Sequence, residues 1–472
     1  MGTPHFSYRW VLLGAIVLPG LYLPMLMAPF DFSEDSCLVY PQASTWKELL
    51  ARVAHSTWHE FQTTGPFRPV TWGHWHTAAM LMGPRAEMRR LTRLFWCMLT
   101  TGAVLMLLRE IGASVTAAFV TAAYALWNPF RAEIWISLGM PEAFAYPYAM
   151  LALYAAVRAA RSERAWRWDL LGWFLLLICL GIKNVFISLI PALVWLRLMA
   201  GQRPWQQQWV GALGYALLAA LPLLHIVLLK LDPKPSHFPT RLSLAQALHF
   251  TRAFASAITF HTLLPTLLGL ALAVRWRALL QPWPIVIGAG LLMVSGMGIY
   301  MPITEMYPRY TMPAVWGYDL LFALILTQLE VGSLVWRQLA LAGLLITLGI
   351  VGWRCLARQD ELIARGQMNW LAVRYLEHHF TAEDAVAVVH PRQATTHLDL
   401  SQSECFHLIG HLKQRGRVQA SMQSGPEPGE AAWVLSGQRY DPGPGYQLER
   451  EFVGRRRLLG EDFRCRLWKR VH

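Results

Sequence analysis

Charge is what this sequence has least of. Asp, Glu, Lys and Arg make up 15% of the 472 residues, against about a quarter in a typical soluble protein. That scarcity excludes a disordered, charge-extended chain and a coiled coil. Cysteine is sparse as well. Six copies are scattered without a Cys-x-x-Cys pair, which excludes a disulfide-stapled mini-protein. Acids are fewer than bases, 29 against 42, for a net charge of +13. No helix-turn-helix, zinc-finger or RNP pattern accompanies that excess, so no nucleic-acid partner is expected. Arginines beside membrane spans account for it through lipid head groups and topology.

Long apolar runs are what the sequence has instead. Each is long enough to cross ~30 Å of hydrocarbon as a helix. Eleven spans are expected, near 10–28, 92–109, 113–128, 142–158, 168–183, 185–199, 209–230, 256–275, 284–302, 313–329 and 338–354. The fold class is therefore mainly α, a polytopic membrane helix bundle over residues 1–355. The first run has no small-residue cleavage site and reads as a retained span. Pro147 and Pro191 interrupt two of the runs, which a membrane helix tolerates when neighbours re-satisfy the backbone. Cys97 and Cys179 fall inside spans and read as packing residues.

Residues 29–91 form a long first outer loop. Trp46–Phe61 and Trp72–Met82 have the pattern of amphipathic helices lying at the interface. After Arg354 the composition changes, and residues 356–472 read as a small soluble α/β domain. Arg358–Phe380 and Leu400–Arg415 have helical periodicity; Ala385–Val389 and Ala431–Leu435 are β-like runs. His407 and His411 are spaced i, i+4 near Cys405, a weak metal pattern set against an ordinary polar helix face. Cys405 and Cys465 could be bonded or separate.

The chemistry-bearing residues gather on one predicted face. Asp31, Glu34 and Asp35 follow the first span. Neighbouring like charges raise at least one carboxyl pKa, which suits a general base; a solvated loop start has the same composition. Gly65-Pro66-Phe67-Arg68-Pro69 holds one arginine in a rigid turn, able to grip a phosphate or a lipid head group. Arg131, Glu133 and Glu142 flank one link, as substrate contacts or as an ion-paired rim. Lys183 splits an apolar hairpin, and Glu305 precedes Arg309 and Tyr310. Charges at membrane depth are costly and usually face a polar cavity.

In that order the motifs resemble those of GT-C-type integral membrane glycosyltransferases. The chain is most similar to the branch with the protein O-mannosyltransferases and the aminoarabinose and related lipid-linked-sugar transferases. Glu34-Asp35 stands where that family has its acidic pair, and Phe67-Arg68-Pro69 matches its aromatic-Arg-Pro element. Asn128-Pro129-Phe130-Arg131-Ala132-Glu133 matches its Pro…Glu stretch, Lys183 its Lys-Glu element, and Glu305-Met-Tyr-Pro-Arg309-Tyr310 its late Glu-Arg-Tyr element. Arg131 replaces a histidine, Asn184 an acid, and Met140 a frequent arginine.

The resemblance implies a sugar donor linked to polyprenyl phosphate. Asp35, Glu34 or Asp31 would act as base. Arg68, Lys183 and Arg309 would bind the donor phosphate, supported by Glu133, Arg131, Glu142, Glu305 and Tyr310. The acceptor would be a glycan, lipid or protein on the outer face. It also implies a bacterial inner membrane, with the C-terminal domain periplasmic. The cofactor is unknown. A divalent cation could join the acidic pair, but two adjacent carboxylates are not a full metal site. Two other readings share these features: a transporter or flippase of lipid-linked glycans, and an enzyme of O-antigen polymerase or ligase type.

Overall fold

The computed structural model describes residues 6–29, 43–63, 65–83, 86–201, 203–231, 243–252, 254, 282–300, 312–330, 334–381, 384–390, 419–424, 432–437, 442–458 and 462–471. A helix occupies each expected span except 256–275, which lies outside the described residues. Among the described residues, four helices are long and apolar enough to cross a bilayer: Tyr8–Met27, Ala86–Glu110, Ala165–Ile182 and Leu341–His379. The chain is a multi-pass membrane protein.

Local chemistry sets the helix ends. Ser7 caps α1 (Tyr8–Val17) by accepting from the Arg9 amide at 3.2 Å. Pro19 and Pro24 then tighten Leu18–Met27 into a 3-10 helix. The interfacial segments form α2 (Trp46–Thr63) and α3 (Pro69–Met82). The latter opens on proline, whose missing N–H costs nothing there. After α4 (Ala86–Glu110), Ser114 caps α5 (Val115–Trp127). Pro129 opens the short α6 (Pro129–Ile136). Helix α7 (Glu142–Arg161) runs unbroken through buried Pro147. Helix α8 (Ala165–Ile182) stops at Lys183, whose backbone is extended, and a 3-10 turn leads into α9 (Ile190–Met199).

Helices α8 and α10 (Trp209–Leu218) interlock through reciprocal glycines. A Cβ on Gly172 would lie 1.9 Å from the Tyr215 hydroxyl, and one on Gly214 2.1 Å from the Trp173 ring. Each glycine makes room for the other helix's aromatic, a close approach typical of membrane bundles. The helical part continues through α11 (Ala220–Leu231), α12 (Trp283–Tyr300) and α13 (Met312–Glu330) to α14 (Leu334–His379).

Helix α14 has 46 residues and passes position 355 without a break. Its distal half packs Ala364, Met368, Ala372 and Leu376 against a five-stranded sheet, through Val386, Leu435, Phe452 and Phe463. The strands are β1 (Ala385–His390), β2 (Gln419–Ser424), β3 (Trp433–Gly437), β4 (Tyr446–Gly454) and β5 (Phe463–Arg470). Their order is β2-β1-β3-β5-β4, with β1 parallel to β2 and β3, and β5 antiparallel to β3 and β4. Cys97 and Cys179 are buried packing residues, and Cys465 is buried in β5. The expected helix 400–415, with Cys405, His407 and His411, lies outside the described residues.

The bundle has two polar ends. At the amino-terminal end Arg109 donates to the Phe6 carbonyl at 2.6 Å. Glu110 lies 3.4 Å from Arg158 and 3.7 Å from Arg161. Asp169 and Arg197 pair through two bonds of 2.6 and 2.9 Å, and Arg197 also donates to Gln208. At the opposite end the chain leaves the 3-10 helix and enters the long loop. The sheet stands at this loop end, because α14 bonds back to the exit of the first span: Gln359 donates to the Leu21 carbonyl at 3.1 Å, and Cys355 meets Tyr22.

Candidate active site

Arg68, Arg131, Glu142 and Lys183 all lie at the loop end. The Thr71 hydroxyl donates to the Ile182 carbonyl at 2.8 Å, so α3 docks where α8 ends, one residue before Lys183. Lys183 Nζ donates to Glu142 Oε1 at 2.6 Å. Two residues on from Glu142, Phe144 lies against the His74 ring at 4.1 Å between centroids. Arg68 forms an ion pair with Glu60, which also accepts from Trp72 Nε1 at 2.9 Å. Four sequence-distant segments thus meet.

Arg131 has a different setting. Its guanidinium grips Asp319 of α13 through bonds of 2.7 and 3.0 Å, and both groups are buried. Tyr146 sits 3.4 Å from the same guanidinium and stacks on Trp316. That geometry suits a staple holding α6 against α7 and α13. Glu133 stands on α6 two residues after Arg131. Asp31, Glu34, Asp35, Glu305, Arg309 and Tyr310 lie outside the described residues.

A cluster that the motifs did not single out completes this end. Arg89, Arg90 and Arg93 are buried at the start of α4. Arg90 donates to the Pro29 carbonyl at 2.8 Å, at the root of the acidic loop. Arg89 donates to Gly83, and Arg93 donates to Met140 at 2.9 Å and to Leu138. A basic i, i+1, i+4 set at the mouth of an apolar helix was the available signal. A cavity of about 30 Å³ lies among His74, Arg89, Arg93, Trp96 and Leu138. It adjoins an apolar groove of about 460 Å³ lined by Met82, Met88, Leu91, Phe95 and Met98. Burial first, then nearby Arg93 and Arg89, push the His74 imidazole down to about 3, so it is neutral at pH 7.

Chemically, this end offers bases, acids and neutral donors beside an apolar slot. An amphiphile with an anionic head fits that combination. Among the described residues, no group of three or more His, Cys, Asp or Glu could hold a metal ion.

No protein-family model matches the sequence, and no curated protein is significantly similar to it. Solved structures do match. The crystal structure of ArnT from Cupriavidus metallidurans bound to undecaprenyl phosphate superposes with a TM-score of 0.52 at 13% identity, covering 99% of both chains. The cryo-EM structure of the arabinofuranosyltransferase AftD from Mycobacteria gives 0.50 at 14% identity. That match covers all of this chain and 40% of AftD. The chain has the GT-C-type fold of membrane glycosyltransferases.

Proposed function

We propose that the protein is a membrane glycosyltransferase that takes a sugar from a polyprenyl-phosphate-linked donor. The observation that supports this reading is the placement of Arg68, Lys183 and the root of the acidic loop at the same end of a GT-C-type bundle. The likeness to a structure bound to undecaprenyl phosphate supports the donor class.

A carboxylate of the Asp31, Glu34, Asp35 group takes the proton from an acceptor hydroxyl or phosphate. The freed oxygen attacks the anomeric carbon with inversion. The bond from that carbon to the donor phosphate breaks, and polyprenyl phosphate leaves. Arg68, Lys183 and Arg309 neutralise the growing charge, where preorganised cations are worth most. Glu60 and Glu142 hold two of these cations in place until a phosphate takes over. Glu133, Glu305 and Tyr310 line the substrate. The apolar groove beside Met88 and Phe95 receives the isoprenoid tail.

The acceptor is a glycan, lipid or protein on the outer face of a bacterial inner membrane. Residues 356–472, a periplasmic domain on this reading, shape access to it. Asp35→Asn in a reconstituted transfer assay is expected to abolish turnover while donor binding persists. Full turnover by that variant would remove the base, and with it this mechanism.

A further inference from the structure

The loop leaving β4 carries Gly454-Arg455-Arg456-Arg457-Leu458, three consecutive arginines that the transfer chemistry does not use. The loop is held in one place. Gly454 lies so close to α14 that a Cβ there would fall 1.8 Å from the Ala364 carbonyl oxygen. Asp360 of α14 accepts the Arg457 amide at 2.9 and 3.0 Å and the Leu458 amide at 3.0 Å. It also lies 3.8 Å from the Arg456 guanidinium. A second carboxylate, Asp462, accepts the Arg456 amide at 3.0 Å. Two carboxylates, Asp360 buried and Asp462 half-buried, bond three successive amides, fix the backbone and leave the outer two side chains outside.

Arg455 and Arg457 are exposed, and among the described residues neither side chain makes an ion pair or hydrogen bond. Leu458 beside them is exposed as well.

Helix α14 shows where this loop stands. Ile346, Ile350 and Trp353 are exposed and fall on one stripe, while Val351 and Cys355 face the bundle. Asp360 comes seven residues after Trp353, on the same face. The arginine loop is therefore stacked on the stripe that faces lipid, not over the candidate site. It stands about 10 Å beyond Trp353 along the helix. Trp353 with Arg354 marks the aromatic and basic edge of the span. Roughly 5–8 Å of head-group region lies beyond each face of the hydrocarbon. Arginine side chains reaching back from that height meet the phosphate layer.

We infer that the Arg455–Arg457 loop binds the phosphate head groups of anionic membrane lipids, with Arg455 and Arg457 as the contacts. This contact clamps the sheet to the leaflet at the loop end of the bundle. It requires that α14 cross the bilayer, and it is independent of the transfer reaction.

Amide hydrogen exchange of the full chain in lipid nanodiscs tests this. Exchange over 454–458 is expected to slow about tenfold in discs containing phosphatidylglycerol relative to phosphatidylcholine alone, since each basic group near an anionic surface adds a several-fold preference. High salt should abolish the difference. Arg455→Gln/Arg457→Gln should abolish it too, with exchange over 364–376 of α14 unchanged as evidence of folding. Equal exchange of the wild type in the two lipids overturns the inference, and that comparison needs no variant. So does a slowing that survives in a folded double variant. Inorganic phosphate added to phosphatidylcholine discs should change nothing; slowing there assigns the loop to a free anion instead.

Discussion

The two ends of the bundle use the same ion-pair chemistry to different effect. At the amino-terminal end, Arg197 and Asp169 have side chains only 4% and 7% exposed. They are packed so tightly that a Cβ on Gly211 would lie 2.5 Å from both. At the loop end, Lys183 and Arg68 keep 19% and 24% of their side-chain surface open. The cavity and the apolar groove at this end are lined by His74, Arg89, Arg93 and Met88 among others, not by these two cations. A saturated, enclosed pair can only hold helices together. A half-open pair can exchange its carboxylate for a ligand's phosphate. Exposure distinguishes these particular pairs, while the Glu110 pairs at the amino-terminal end, with Arg158 42% exposed, show that an open pair alone does not make a site.

The sharpest way to break this comparison is to remove one cation from each end. Arg197→Ala leaves the buried Asp169 carboxylate uncompensated and should cost about 3–5 kcal/mol. Arg68→Ala leaves the buried Glu60 with the Trp72 indole N–H and an open side to water, and should cost less, about 1–2 kcal/mol. Denaturant unfolding in nanodiscs measures both, and equal losses would erase the distinction. Overpacking comes next. Gly214→Ala pushes a methyl into the Trp173 ring and should cost about 1–3 kcal/mol, read as a lower unfolding temperature with substrate binding retained.

The smallest effect is pH-dependent and belongs to the loop end. The His74 imidazole titrates at about 3 when folded, against about 6.5 in an unfolded chain. The unfolded state therefore binds the proton first. The stability contributed by neutral His74 is complete above about pH 6.5 and drains away as pH falls toward 3. His74→Phe should flatten the unfolding temperature across pH 4–6.5 relative to the wild type. An unchanged slope would mean that His74 is not held neutral by its surroundings.

Much of this architecture was legible in the sequence. Apolar runs mark helices because only a helix satisfies its own backbone in lipid, and the amphipathic patterns near Trp46 and Trp72 became α2 and α3. The composition shift at Arg354 was read as the end of a span. The helix itself continues through that shift to His379, since no proline or cap interrupts it. Strands β2, β4 and β5 were not recognised, although β5, Phe-Arg-Cys-Arg-Leu-Trp-Lys-Arg, carries the period-2 alternation of a half-buried strand with Phe463, Cys465 and Leu467 inward. Charged residues at span ends were legible as candidates, but their partners were not. Lys183 meets Glu142 across 41 residues and Arg131 meets Asp319 across 188, and pairing at such range is set by how the helices pack. The adjacency of Arg131, Glu133 and Glu142 suggested a local rim. Packing instead sends Arg131 to α13 and Glu142 to Lys183.

Binding of undecaprenyl phosphate by variants of the two ends tests the central claim most directly. Native mass spectrometry would compare Arg68→Ala/Lys183→Ala with the charge-free inner pair Asp169→Leu/Arg197→Leu. The loop-end variant should lose at least tenfold in affinity while the inner variant binds like the wild type. Undiminished binding by the loop-end variant, or an equal loss in both, would contradict the account.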